Sequence, residues 1–462
     1  MRQPNELGKE NITKLLIKFS IPAIVGMLVN ALYNIVDRIF VGNRVGALGI
    51  AGITVAFPIL LVLLACALLI GVGSSSLISI KLGQEKEEEA ESILGNAITL
   101  ITVISIIITV GSLIFLEPLL SIFGASDAVM PYAKEYTGIV LLGSFFFIIG
   151  IGLNHPIRAE GSPRIAMWTM MIGAITNIVL DYLFIIVFDW GIRGAAIATV
   201  IAKGMSAAWV LHYFFSGRSI LKLRLNNLKL RLDTTSKILL MGWAPFILQL
   251  GTSVFNLIMN RSLVAYGDDI ALSAMGIVMS IMSLILMPIF GVTQGLQPIV
   301  GYNYGARRYD RVKDALKKGL LVATIFSTLG FIGIQLFPRQ LVYLFNKDNE
   351  ELITFGARSL RIFMGLLPVV GFQVTGANFF QAIGKPKQAA FLSLSRQVLF
   401  LIPAVLILPL FFDLNGVLLA GPVADFIAFS ITSFWLYKEW KKLNQYAMTL
   451  EDGKTTEIEQ LA

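Results

Sequence analysis

Four oxygen-bearing side chains in the first half of the chain could together hold a small cation. Asp37 closes an i, i+4, i+7 set with Asn30 and Asn34, so a helix over Lys14–Gly42 puts all three on one stripe. Asn177 and Asp181 stand four residues apart in a second apolar run, again on one helical face, and Thr199 lies in a third. Carboxylate, amide and hydroxyl oxygens suit a proton or a hard cation such as Na⁺, and they are poor ligands for a transition metal. An aspartate at bilayer depth costs roughly 2.5–3.5 kcal/mol on insertion scales, so it must face a partner or a wet cavity. Two carboxylates in one such site resist ionising together and titrate as a unit. Either ion, arriving from outside, would relieve that repulsion, and in that way a cation gradient could drive a change of shape. A structural alternative pairs Asp37 with Arg38 or Lys203 to hold helices together.

The elements that must position these groups are membrane spans. Hydrophobic residues make up 56% of the 462 and charged residues 14%. Mean hydropathy is +0.77. Apolar runs of about 20 residues recur from end to end, which predicts an all-α polytopic membrane protein. A β-barrel would show alternating segments of about ten residues instead. Twelve spans are expected, near 15–41, 48–80, 92–116, 131–155, 163–187, 193–215, 237–265, 271–303, 313–337, 353–380, 388–411 and 416–438. The second and eighth are long for one perpendicular crossing, so tilt or a cytoplasmic extension is expected. Residues 1–13 are polar and the first apolar run is full length, so no cleavable signal peptide is expected.

Charge sets the orientation. With the N-terminus inside, Arg2, Lys9, Lys14, Lys18, Lys81, Lys86, Arg158, Arg164, the runs 218–237 and 307–318, Lys385, Lys387 and the basic tail are all cytoplasmic. The opposite loops hold only Arg44, Arg193, Arg339 and Lys347, so both termini are expected inside. This bias accounts for the net charge of +8, and no nucleic-acid partner is expected. The single cysteine, Cys66, rules out an internal disulfide, and His155 and His212 are too far apart in sequence to suggest a zinc or haem site. No phosphate-cradling glycine loop is present, so ATP is not expected to drive the protein.

In this orientation Asp37 lies four residues before the outer end of span 1, Asp181 six before that of span 5, and Thr199 six into span 6. At about 1.5 Å per residue they share one level, roughly 6–9 Å beneath the outer interface. The chain is also a duplication. IRAEGSPR at 157–164 aligns with FQAIGKPK at 380–387 at a displacement of 223, which also places Pro22 on Pro245 and Asp37 on Asn260. Six spans per repeat is an even number, so two pseudo-symmetric six-helix lobes in one orientation are expected, related by an axis along the membrane normal. The expected divisions are a cytoplasmic N-terminus (1–14), an N-lobe (15–215), a cytoplasmic linker (216–236), a C-lobe (237–440) and a cytoplasmic tail (441–462). Pro22 and Pro245, at the same point of each lobe's first span, are hinge candidates because each removes a helical hydrogen bond.

The second lobe lacks the acids. Gln249, Asn256 and Asn260 on span 7 and Gln294 on span 8 could bind a solute without titrating, or could be ordinary helix glue. Met275, Met279 and Met282 could form an adaptable apolar surface, or simply pack. Lys203 and Asp425 occupy equivalent positions of the two repeats. They could form a second charge pair, or Asp425 could be a second proton site.

Taken together, SIPAIVGMLVNALYNIVDRIFVG in span 1, ALGIAGIT at 47–54, IRAEGSPR, NIVLDYLFI in span 5 and GLQPIVGYNYG at 295–305 carry a resemblance. The chain resembles the multidrug and toxic compound extrusion (MATE) family over roughly Leu15–Tyr437, and within it the bacterial branch of MepA-type and DinF-type pumps. The resemblance implies that Asp37, Asn177, Asp181 and Thr199 bind the coupling cation and that Pro22 bends span 1. It implies a secondary antiporter, not an enzyme, that exports amphipathic, often cationic, organic compounds in exchange for H⁺ or Na⁺. The cleft is expected between the lobes, lined by spans 1, 2, 7 and 8. Small amphipathic molecules and the bilayer are the expected partners, with no cofactor, in a monomer of the bacterial inner membrane. A NorM-type cation site in the second lobe is not implied, because asparagine and glutamine stand where its acids would be. The rival readings are a lipid or lipid-linked-sugar flippase of the same superfamily, for which in-span basic residues are few, and a polytopic membrane enzyme.

Overall fold

The computed structural model describes residues 6–267, 269–347 and 349–451, and their regular structure is helical. In a bilayer no water is available to the backbone, so each apolar run closes its own hydrogen bonds as a helix. The long helices are α1 (Ile12–Arg44), α2 (Ala47–Gly83) and α3 (Glu87–Ile114), then α4 (Met130–Leu142 with Ser144–Ala159), α5 (Pro163–Val187) and α6 (Gly191–Phe215). The second repeat gives α7 (Leu232–Tyr266), α8 (Asp269–Gly305) and α9 (Tyr309–Leu336), then α10 (Glu350–Phe363 with Leu367–Ala382), α11 (Pro386–Ile407) and α12 (Pro409–Glu451). Ten of these are single apolar helices long enough to cross, and α4 and α10 are bent pairs that complete the twelve.

The bends are symmetric. α4 turns by 58° and α10 by 50°. They break at Gly143 and near Gly365, which lie 222 residues apart in the duplicated sequence. A hydroxyl from the neighbouring helix meets a carbonyl at each break. Thr109 of α3 donates to the Leu141 carbonyl at 3.1 Å, and Ser327 of α9 to that of Pro368 at 3.0 Å. Such bonds make broken helices tolerable at membrane depth.

Two compact units emerge, and their borders differ from the expected lobes. One is Val25–Leu250 (with Glu6), the other Leu7–Ile24 together with Gly251 onward. The N-terminal part of α1, through Ile24, therefore packs with the second unit, and that of α7, through Leu250, with the first. Small residues explain this. A Cβ on Gly242 would lie 1.7 Å from the Leu69 carbonyl oxygen, and one on Gly295 would lie 2.8 Å from the Ser20 nitrogen, so both helix pairs touch backbone to backbone. Each handover falls just after a proline, Pro22 or Pro245.

A core of the first unit gathers Val41, Ile53, Tyr136, Val140, Ile185 and Ile192. The second unit's core gathers Phe255, Val278, Leu360, Phe363 and Val417. The expected 216–236 linker is strapped to the first unit. Glu160 Oε2 accepts from Ser219 Oγ (2.6 Å) and the Ile220 amide (3.1 Å). Glu91 accepts from the Lys222 amide (3.1 Å) and pairs with Arg224. Asn96 Oδ1 accepts from the Arg231 amide (2.8 Å), and Thr99 donates to the Leu228 carbonyl (2.7 Å). α7 already begins at Leu232, within the expected linker. Residues 441–451 of the expected tail continue α12, which has one break at Asp413 (φ 48°). Residues 1–5 and 452–462 of the expected termini lie outside the described residues.

Candidate cation site

The first unit assembles the site from four helices. α1 brings Asp37, α5 brings Asn177 and Asp181 one turn apart, and α6 brings Thr199. The first arm of α4, Met130–Leu142, adds Tyr136. Asp181 is an electrostatic neighbour of Asp37, and Tyr136 is a neighbour of Asp37, Asp181 and Thr199. Asp181 is 0% exposed and Asn177 2% exposed. Neither Asp181 oxygen accepts a hydrogen bond from the described residues, and Asn177 neither donates one from Nδ2 nor accepts one at Oδ1.

The chemistry follows from that count. A carboxylate can only accept, so two neighbouring carboxylates bond only when one carries a proton. Buried polar atoms without partners are costly and call for an ion or water that satisfies them. A proton shared by the two acids, or a cation held by carboxylate, amide and hydroxyl oxygens, would satisfy these atoms. α5 passes into a π-helical segment, Tyr182–Val187, directly after Asp181. Wider turns of this kind recur at functional sites, where they re-aim side chains.

Of the residues the sequence singles out, Asp37, Asp181 and Thr199 all neighbour Tyr136, and Asn177 lies one turn before Asp181 on α5. The sequence reading misses Tyr136, although it lies five residues into span 4 and the same depth count reaches it. It also misses Tyr33, one turn before Asp37, whose hydroxyl accepts a hydrogen bond from Lys203 Nζ at 3.1 Å. Asp425 accepts instead from Arg396 Nε at 2.6 Å, so Lys203 and Asp425 each have another partner inside their own unit. They are equivalent by repeat, and the partners observed, Tyr33 for Lys203 and Arg396 for Asp425, stand in place of the expected charge pair.

The remaining candidates scatter. Asn30, Gln249 and Gln294 are partly buried, while Asn256 and Asn260 are exposed. The side chains of Asn34 and Arg38 lie outside the described residues. Met275 is buried in the second unit's core with Met279 and Met282 packed against it, which is the packing alternative for that stripe. Pro22 and Pro245 both lie within continuous helices, α1 and α7.

Twelve bent or straight apolar helices in a duplicated array, with a buried acid pair in one half, define a multi-pass membrane protein of the transporter type. The MatE family model matches residues 22–183 and again 245–406, and the chain belongs to that family. It is 26% identical to the multidrug export protein MepA of Staphylococcus aureus (strain MSSA476), over 90% of this chain and 92% of that one. It is also 26% identical to MepA of Staphylococcus haemolyticus, over 98% of each chain. Among solved structures it superposes on the MATE multidrug transporter DinF-BH with a TM-score of 0.88 and 42% identity, over 95% of this chain and 98% of that one. An outward-facing MATE family transporter of the MOP superfamily matches with a TM-score of 0.91 at 24% identity, over 96% and 99%, which supports the fold alone.

Proposed function

We propose that this chain is a secondary antiporter that exports amphipathic, often cationic, organic compounds in exchange for H⁺ or Na⁺. The coupling ion enters the site formed by Asp37, Asn177, Asp181 and Thr199. The observation that carries the reading is the buried Asp181, which neighbours Asp37 without a hydrogen bond from any described residue. Loading that site removes the repulsion between the acids and favours one conformation, and unloading it on the other side reverses the bias. A switch from 1:99 to 99:1 needs about 5.5 kcal/mol of differential binding, which an ion gradient acting on two coupled acids can supply. Pro22 and Pro245 serve as the points where α1 and α7 change their bend. The names of the MepA and DinF-BH relatives support multidrug export as the task. Ethidium efflux from proteoliposomes, with and without an imposed H⁺ or Na⁺ gradient, tests the reading. Gradient-driven export supports it, and export that ignores every gradient overturns it.

A further inference from the structure

The segment that joins α6 to α7 carries one tetrapeptide twice, Lys-Leu-Arg-Leu at 222–225 and again at 229–232. The first copy is fastened to α3. The Lys222 amide donates to Glu91 Oε1 and Arg224 Nε pairs with Glu91 Oε2, each at 3.1 Å, and Leu221 beside them is buried. The second copy is held through backbone, by the Arg231 amide on Asn96 and the Leu228 carbonyl on Thr99, and all four of its side chains are exposed. Leu230 is 45% exposed and Leu232 84%. The acids near the strap, Glu91 and Asp233, are taken by Arg224 and Lys237, so among the described residues Lys229 and Arg231 have no acid partner. Along α3, Asn96 and Thr99 lie five and eight residues past Glu91, about 7 and 12 Å of rise. The second copy therefore stands nearer the apolar stretch of α3 in which Val103, Ile106 and Ile107 are exposed, as side chains against lipid tails are.

We propose that residues 229–232 form a docking site for an anionic phospholipid, with Leu230 and Leu232 against the acyl chains and Lys229 and Arg231 on the headgroup phosphate. Exposed leucines are unfavourable in water, and at the edge of the apolar band they gain by entering the acyl boundary. The long stems of Lys229 and Arg231 let their charges reach phosphate level beside them, and the Arg231 guanidinium can take two phosphate oxygens at once. Charge selects the lipid. Residues 216–231 hold five cations and no acid, so a headgroup of net negative charge is attracted, whereas a zwitterionic one brings its own cation into a basic strip. The site is built by the strap and α3 within the first unit, and it concerns lipid rather than the transported solute, so it stands independently of the coupling ion.

The test is binding to the purified full chain in detergent, read by native mass spectrometry and by the rise in melting temperature, with dioleoylphosphatidylglycerol, dioleoylphosphatidylcholine or inorganic phosphate as the probe. Wild type should prefer the phosphatidylglycerol, and inorganic phosphate should give no rise. Each cation removed should weaken phosphatidylglycerol about fivefold, so Lys229→Gln with Arg231→Gln should lose about 25-fold and with it the preference over phosphatidylcholine. Lys317→Gln on α9, which removes an exposed cation of the second unit, should bind as wild type does. If the double variant fails to fold, Lys229→Gln alone decides by its fivefold loss. Unchanged phosphatidylglycerol binding in these variants overturns the proposal, and so does an equal loss in Lys317→Gln, which would mark a general charge effect. An equal rise in melting temperature with inorganic phosphate would mark a free-anion site and overturn it as well.

Discussion

Arg396 and Asp425 form a buried ion pair inside the second unit, with Nε 2.6 Å from Oδ1 and side chains 12% and 3% exposed. Arg396 sits at the start of the π-helical segment Ser395–Leu401 of α11, and Asp425 on α12. At the equivalent place in the first repeat, Gly173 lies against Ser206 and the Ala202 carbonyl, so a small-residue crossing in one repeat is an ion-paired crossing in the other. Removing one partner of such a pair leaves an uncompensated charge. Asp425→Asn should destabilise the protein by about 3 kcal/mol and lower its melting temperature in detergent. The double variant Arg396→Met with Asp425→Leu should recover most of that loss. Both should keep the wild-type cation dependence of transport.

Glu160, just past the C-terminal end of α4, should give the linker strap a pH response. Burial pushes its carboxyl up from 4.5 to about 7, and the hydrogen bonds from Ser219 and the Ile220 amide only partly oppose this. The folded state therefore holds the proton more tightly than the unfolded chain. This contribution is fully present below about pH 4.5 and is lost as pH rises through about 7, on the order of 3 kcal/mol in all. Limited proteolysis within 216–231 should be faster at pH 8 than at pH 6. Glu160→Gln should flatten the difference, and equal rates in wild type would contradict it.

The backbone contact of α7 with α2 predicts a steric effect. Gly242→Ala places a methyl 1.7 Å from the Leu69 carbonyl oxygen, and backbone on both sides leaves nothing that can rotate away. The cost should be about 2 kcal/mol or more, read as a lower melting temperature. Gly204→Ala on α6, where an added Cβ meets nothing within 4 Å, serves as the control and should be near neutral or slightly stabilising.

Pro22 offers a kinetic prediction. Pro22→Ala restores an amide that can close a helical bond and stiffens α1 at the handover between the units. Turnover should fall several-fold, on the order of 1 kcal/mol in the barrier, with little change in the half-maximal cation concentration. A shifted cation midpoint at unchanged turnover would contradict the hinge role.

Depth and periodicity made much of this legible. Counting residues from span ends brought Asp37, Asp181 and Thr199 to one level, with Asn177 one turn from Asp181, because rise per residue is nearly constant in a helix. Rotation about the helix axis is harder to read. Arg396 faces Asp425 only because of its rotational setting on α11, and the span's wider π-helical winding is not visible in residue types. The duplication aligned Lys203 with Asp425, but equivalence by repeat says nothing about facing. Met275 carried the same ambiguity, since an apolar stripe can turn toward a core or a cavity with one sequence pattern. The handover of α1 and α7 between units depends on Gly242 and Gly295 meeting particular backbones, which is a tertiary fact. The bends of α4 and α10 were within reach through Gly143 and Gly365, but glycine in an apolar span is compatible with both a break and close packing.

The most direct measurement is cation uptake coupled to ethidium export in proteoliposomes, compared between wild type and Asp181→Asn. An amide keeps the size of the side chain but cannot give up a proton or hold the negative charge that attracts Na⁺. The account predicts folded protein with ethidium binding retained, and gradient-driven uptake and export reduced by about tenfold or more. Wild-type coupling in folded Asp181→Asn would contradict it.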